Sequence, residues 1–373
     1  MTLAGYDLAA IGNHDLERGA RSLRELIGGG RRLVSTNLVL DDEDLQIAIA
    51  PAYVVECDGL RLGVLGVTTT MTLRLVPQSV MDGVRFMDTC ESVLRAVAAL
   101  SPWVHTIVLL SHLGFETEDF SDVQLIPALR GSKVSLILGG HTHEALDPAP
   151  VIDGIKACNA GAHGVNVNKV TLTRNAYGSI SIQSKLLPQD IAVRESQPLL
   201  AARANELATL QPLDDERVPL PALTGGARHL VLLRSALDYR GNTSPEAIAM
   251  VAFLYMLNPL PESESVSHLE VMTAYPNAEQ LVEVDVDGAL LKALIGSQAS
   301  MKFYFSAQPV WVANGRTVDV LELDDARTYN VVMSELCAEG GLGWSLLADR
   351  RLEARPLQMN CAELVWGYLR SLA

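Results

Sequence analysis

Three short stretches of this chain end an apolar run in a turn that carries histidine: YDLAAIGNHD (6–15), HTIVLLSHLG (105–114) and VSLILGGHTH (134–143). Together they present Asn13, His14, His112, His141 and His143, which is one asparagine and four of the chain's eight histidines. Neutral imidazole nitrogens with a carbonyl oxygen suit a divalent transition cation such as Mn, Zn, Fe, Co or Ni. His141 and His143 stand two apart, so in an extended turn they point opposite ways and can serve two neighbouring ions. Paired cations clamp and activate water for in-line attack on phosphorus.

Each piece also has a plainer explanation. Asn13 followed by Asp15 and Glu17 is what a capped helix start looks like, and taken alone the cap is preferred. Ser111-His112 taken alone is a strand end with a hydrogen-bonded histidine. GGHTH resists that treatment, because two glycines let the backbone bend while two imidazoles face a common point. All three occur in order, each after a strand, and the conjunction favours a metal site.

The elements that position these residues follow from patterning. Short continuous apolar runs bounded by turns are strands buried on both faces. Between them lie helical patterns: LERGARSLRELIGGG ends on glycine, and DTCESVLRAVAALSP has Pro102 beyond it. YVVECDGLRLGVLGVTT (53–69) is a hairpin turning at Asp58-Gly59. VIDGIKACNAG and VNKVTLTRN continue a strand-rich end. Strand and helix alternate, so the first half is a layered α/β domain whose strand-end loops converge on one crevice. Around 187–227 the chain turns rich in proline and charge, with one amphipathic helix. Beyond it, SPEAIAMVAFLYML is expected as a helix, EQLVEVDVDGALLKALIGS as strand then helix, and TYNVVMSELCAEGGLGWSLL as strand, glycine turn and a further element. The expected organisation is a first domain at 1–195, a linker helix at 196–226 and an α+β domain at 227–373.

Composition bounds the function. The 373 residues carry a formal charge of −15 and no lysine/arginine block, which argues against a nucleic-acid-backbone binder. Five scattered cysteines give neither a disulfide framework nor a zinc ribbon. No apolar run reaches the ~18–20 residues of a membrane span.

GNHDLERG, SHLG and GGHTH resemble, in order and spacing, the calcineurin-like metallophosphoesterase domain of the 5′-nucleotidase and 2′,3′-cyclic-nucleotide phosphodiesterase family. RLGVLGVTT resembles the strand between those motifs. LRSALDYRGNTSPEAIA, AYPNAEQLVEVDVDGALLKALI and YNVVMSELCAEGGLGW are similar to segments of the family's C-terminal domain. The resemblance implies an α/β fold: a layered β-sandwich flanked by helices, then an α+β 5′-nucleotidase C-terminal-type domain. It implies metal-dependent hydrolysis of a nucleotide phosphomonoester or cyclic phosphodiester, with the second domain holding the base. Asn13, His112 and His141 would then ligate one ion and His143 the other. His14 would stabilise the transferring phosphoryl group, oriented by Glu17, where the family has aspartate. Arg234 and Arg240 would meet phosphate or carboxylate, and Tyr275 stands where the family has an aromatic, although a core role is its plainer reading. Phe303, Tyr304, Phe305 and Trp311 offer further aromatics with no assignable stacking pair.

The departures from the family carry expectations of their own. Only twelve residues precede Asn13, and no Asp-x-His or Gly-Asp motif lies among them, so the chain is expected to lack its first strands and the family's metal-binding carboxylates. Two ions are then poorly compensated, while Asn13, His112 and His141 suffice for one. The family's N-x-G-G-x-R arginine segment is also missing. The rival expectation is a non-catalytic relative that binds a ligand or partner; a dimanganese sulfur-compound hydrolase shares the same motifs. The expected partner is a small nucleotide, with no nucleic acid and no membrane span. Relatives are typically periplasmic or extracellular, and MTLAGYDLAAIGNHD shows no basic n-region or cleavage site.

Overall fold

The apolar runs of the first half become strands covered on both faces. In the computed structural model the described residues are 2–75, 80–117, 120–190, 196–220, 248–251, 260, 263–275, 280–297, 310–313, 316–317, 323–340, 345–348 and 352–373. They divide into two compact units, Met1–Leu199 and Leu200–Ala373.

The first unit starts with β1 (Ala9–Ala10), α1 (Ala20–Gly28), β2 (Leu33–Val34), β3 (Leu38–Leu40) and α2 (Glu43–Ala48). The hairpin β4 (Ala52–Cys57) and β5 (Leu60–Thr68) follows. Next come α3 (Thr72–Leu75), β6 (Val84–Phe86), α4 (Thr89–Leu100) and β7 (Thr106–His112). The unit continues with α5 (Asp122–Leu125), β8 (Val134–Gly139), β9 (Val151–Ile152), β10 (Ile155–Asn159), β11 (Asn166–Arg174) and β12 (Ile180–Pro188). The first histidine-bearing stretch is a strand over only two residues, paired parallel with β2.

The main sheet has the order β4-β5-β7-β8-β10-β9. Within it β5, β7, β8 and β10 run parallel. Register pairs Thr68 with His112, Ser111 with Gly139, and Gly139 with Asn159, so four carboxyl ends line up on one rim.

Both faces of this sheet are packed. Ile107 and Leu109 of β7 are fully buried in a cluster with Val93 and Val97 of α4, whose first turn is capped by the Asp88 side chain. Val108 faces the other way, with Leu136 and Cys158, under Val170, Leu172 and Ile182 of the β11–β12 hairpin. Burying one such aliphatic side chain is worth roughly 1.5–3 kcal/mol, which is why these strands read as unbroken apolar runs. The end of β5 is pinned by the fully buried Asn37, which donates to the Thr68 carbonyl at 2.8 Å and accepts the Thr68 N–H at 3.0 Å, as a neighbouring strand would.

Helix α6 (Gln197–Asp215) lies in the stretch where the composition changes. The second unit has a six-stranded sheet in the order Arg316–Thr317, Val310–Ala313, Ile248–Val251, Thr328–Ser334, Leu281–Asp287 and Arg355–Pro356. Val282, Val284 and Val286 alternate inward and are fully buried. One expectation is corrected here. The described part of SPEAIAMVAFLYML, Ile248–Val251, is a strand and not a helix. It pairs parallel with Thr328–Ser334 and antiparallel with Val310–Ala313. The alanine, leucine and methionine around it favour helix, but Ile248 and Val251 are β-branched, and pairing with a strand on each side outweighs propensities of a few tenths of a kcal/mol per residue.

Candidate metal centre

Asn13 opens a short 3-10 turn, Asn13–Leu16, and the cap on that turn is not Asn13. Asp15 Oδ2 accepts the Gly12 N–H at 2.9 Å, which leaves the Asn13 amide for other work. Asn13 is buried, and its Oδ1 stands 3.0 Å from Nε2 of His112, the last residue of β7. Gly12 makes room for this contact, since a Cβ there would stand 2.9 Å from the His112 ring. The His112 ring lies 5.1 Å from that of His141, tilted by 53°. Burial, followed by repulsion from His141, His14 and His143, lowers the His112 pKa to about 4. Its imidazole is therefore neutral near neutral pH and carries a lone pair for a cation.

The GGHTH turn is not extended. His141 and His143 have φ values of 75° and 58°, and Thr142 N–H donates to the Gly140 carbonyl at 3.0 Å. The turn coils, correcting the expectation of alternation along an extended chain. His141 faces His112, whereas His143 faces His163, with ring centroids 5.9 Å apart. His141 and His143 both act electrostatically on the His112 ring. Among the described residues, no group of three or more His, Cys, Asp or Glu side chains stands together as a cation-binding cluster.

A one-ion donor set does fit. Ligand atoms ~2.1 Å from a cation and at right angles to one another lie about 3.0 Å apart, which is the Asn13–His112 separation. Two imidazoles bound to one ion at ordinary lengths place their centroids about 5 Å apart, and those of His112 and His141 lie 5.1 Å apart. Two polar atoms in this rim, Thr142 Oγ1 and Asn159 Nδ2, are buried without a hydrogen-bond partner among the described residues. Buried polar atoms are rarely left so unless a ligand or water completes them.

His14 Nδ1 meets Glu17 Oε1 at 2.5 Å, and both side chains are exposed. That bond is the leading cause of a raised His14 pKa. Glutamate therefore reaches the ring despite its extra methylene. Tyr275 is enclosed in the second unit at 3% exposure, its hydroxyl lacking a partner among the described residues. A ring so enclosed offers no open face for stacking, which corrects its expectation as a substrate contact. Arg234, Arg240, Phe303, Tyr304 and Phe305 lie outside the described residues.

Two residues at the rim carry more than their sequence signals. Asp122, 1% exposed, accepts a 2.5 Å hydrogen bond from Ser111 beside His112, and burial pushes its carboxyl up to about 7. In sequence it looks like an ordinary first-turn acid. His163 follows β10 in NAGAHG, a strand followed by a glycine-histidine loop, the same grammar that exposed the other histidines.

No protein-family model matches the chain. A 5′-nucleotidase-related protein of Glossina morsitans morsitans is 23% identical over 447 residues, covering 100% of this chain and 78% of that protein. The 5′-nucleotidase of Diplobatis ommata is 30% identical over 148 residues, 38% of this chain and 24% of that protein. The 5′-nucleotidase precursor of Thermus thermophilus superposes with a TM-score of 0.79 at 23% identity, covering 98% of this chain and 81% of that one. The chain is similar in sequence to 5′-nucleotidases and has their fold. With these 5′-nucleotidases it shares its two-part architecture, whereas its match to the Diplobatis ommata enzyme reaches only about a quarter of that protein's length.

Proposed function

We propose that this chain is a metal-dependent phosphoesterase that hydrolyses a nucleotide monoester, the activity its 5′-nucleotidase relatives are named for, or a cyclic diester. The observation that carries this is the Asn13–His112 contact, made across 99 residues of chain, with His141 beside it. Asn13 Oδ1, a nitrogen of His112 and a nitrogen of His141 hold one divalent cation. When bound, such an ion supplies Lewis acidity toward a phosphoryl oxygen. His14 supplies a hydrogen-bond donor to the departing oxygen, its ring fixed by Glu17. A location outside the cytoplasm accords with the word precursor in the name of the Thermus protein.

The test is hydrolysis of bis(p-nitrophenyl) phosphate and of AMP with Mn²⁺, Co²⁺ or Zn²⁺. His112→Ala should abolish turnover, and His14→Ala should lower it roughly 10²–10⁴-fold, as removal of a proton-transfer group does. No hydrolysis with any of these ions would overturn the enzyme reading in favour of a ligand-binding relative.

A further inference from the structure

Register sets Ser111 of β7, Gly139 of β8 and Asn159 of β10 side by side at the carboxyl ends of three parallel strands. Two residues earlier, Leu109, Ile137 and Ala157 lie in the cluster under α4, so strand alternation turns Ser111, Gly139 and Asn159 to that same face. Asp122, in the first turn of α5, lies across them. Its Oδ1 accepts the Ser111 hydroxyl at 2.5 Å, and its Oδ2 stands 3.1 Å from where a Cβ on Gly139 would be. Asn159 is 2% exposed, and its Nδ2 has no hydrogen-bond partner among the described residues, which leaves one buried donor on the third strand of the row.

Asp122 also holds the chain on both sides of His112. Ahead of the ring, the Ser111 oxygen that donates to Asp122 accepts the Leu113 N–H at 3.2 Å, which closes a turn around the His112 backbone. Beyond the ring, the Asp122 N–H donates to the Gly114 carbonyl at 2.9 Å. Gly114 in turn packs on the GGHTH turn: a Cβ there would stand 2.7 Å from the Thr142 methyl and 3.4 Å from the His141 ring. Capping does not explain the buried carboxyl, because Gln124 Oε1 takes the Ser121 N–H at the start of α5, at 2.9 Å. We propose that Asp122 is a positioning residue: by gripping Ser111 and Gly114 it fixes how the His112 and His141 rings approach each other, and so sets how tightly that centre takes its cation. This role rests on the metal centre proposed above, not on its reaction.

The test is Co²⁺ uptake by the untagged full chain after chelator treatment, followed by visible absorption, with amide hydrogen exchange at Leu113 in the metal-free chain. Asp122→Ala should weaken uptake at least ~10-fold, the lower bound for losing a group that orients a metal ligand, and should alter the Co²⁺ spectrum and unprotect the Leu113 amide. Asp122→Asn keeps a carbonyl for the Ser111 hydroxyl and should recover most of these losses. Ser111→Ala should match Asp122→Ala, and the double variant should lose no more than either single, because the two act as one unit. Where Asp122→Ala does not fold, Ser111→Ala against the wild type decides. Val97→Ala, a buried deletion in α4, controls for lost stability and should leave uptake as in the wild type. Additive losses in the double variant, an affinity unmoved by Asp122→Ala, or an equal loss with Val97→Ala overturns the positioning role. The Asp122→Ala loss without hydrolysis of any phosphoester by the wild type sinks the proposed function and leaves the role standing. Hydrolysis by the wild type with Asp122→Ala binding Co²⁺ equally well does the reverse, and a wild type that takes up no ion overturns both.

Discussion

His14 and Glu17 show how a one-atom change in side-chain length is absorbed. An aspartate would reach the imidazole with less freedom, yet the 3-10 turn brings the glutamate oxygen to 2.5 Å from Nδ1. Because that hydrogen bond is the leading cause of the raised His14 pKa, Glu17→Gln should bring it down toward the ~6.5 of a free imidazole. A proton NMR titration of the metal-free chain checks this, and a pKa unmoved by the substitution would separate the two residues. Gly12 is the second test at this scale. Gly12→Ala puts a methyl 2.9 Å from the His112 ring, which must swing away from Asn13. Cation affinity should fall at least ~10-fold, while overpacking costs about 1–3 kcal/mol in urea denaturation.

At the scale of elements, α5 ties the ends of β7 and β8 together through Asp122. Its carboxylate takes the Ser111 hydroxyl, Ser111 Oγ accepts the Leu113 N–H at 3.2 Å, and the other carboxylate oxygen lies 3.1 Å from where a Cβ on Gly139 would stand. An unfolded aspartate titrates near ~4, and here burial holds the group up to about 7. Between those values the folded chain keeps a proton that the unfolded chain releases. Stability should therefore fall as pH rises through that window, by about 4 kcal/mol in all. Asp122→Asn should flatten the dependence in urea denaturation with chelator present; an unchanged slope would assign it elsewhere. The strands that bear the site were legible in the sequence because burial on both faces leaves unbroken apolar runs such as IVLL in β7. Three things were not legible. The strand Ile248–Val251 was hidden because its partners are remote in sequence and the apolar run around it, AIAMVAFLYML, reads as a helix. The coiling of GGHTH was hidden because left-handed histidines have no composition signal. Asp122 was hidden because a buried carboxylate and a solvent-facing one in a helix's first turn look alike until the sheet is built.

For the whole molecule, the division into two units makes separable ligand effects a testable expectation. Anything that binds only the folded first unit stabilises by about 2.7 kcal/mol at a hundred times its Kd. Calorimetry should then show Mn²⁺ raising the transition of the unit that holds Asn13, His112 and His141 while the other stays in place. A formal charge of −15 repels an anionic nucleotide. Raising salt from low ionic strength to ~0.1 M, where the screening length is ~10 Å, should raise kcat/KM for AMP; a fall would point to local cations that overcome the global field. The 99-residue separation of Asn13 and His112 has a kinetic corollary. Closing a loop of that length costs about 4 kcal/mol of chain entropy, repaid only once the intervening strands have paired. Ability to capture an ion should therefore ripen late in refolding, so that uptake of a colorimetric metal probe serves as a clock for the last step of assembly.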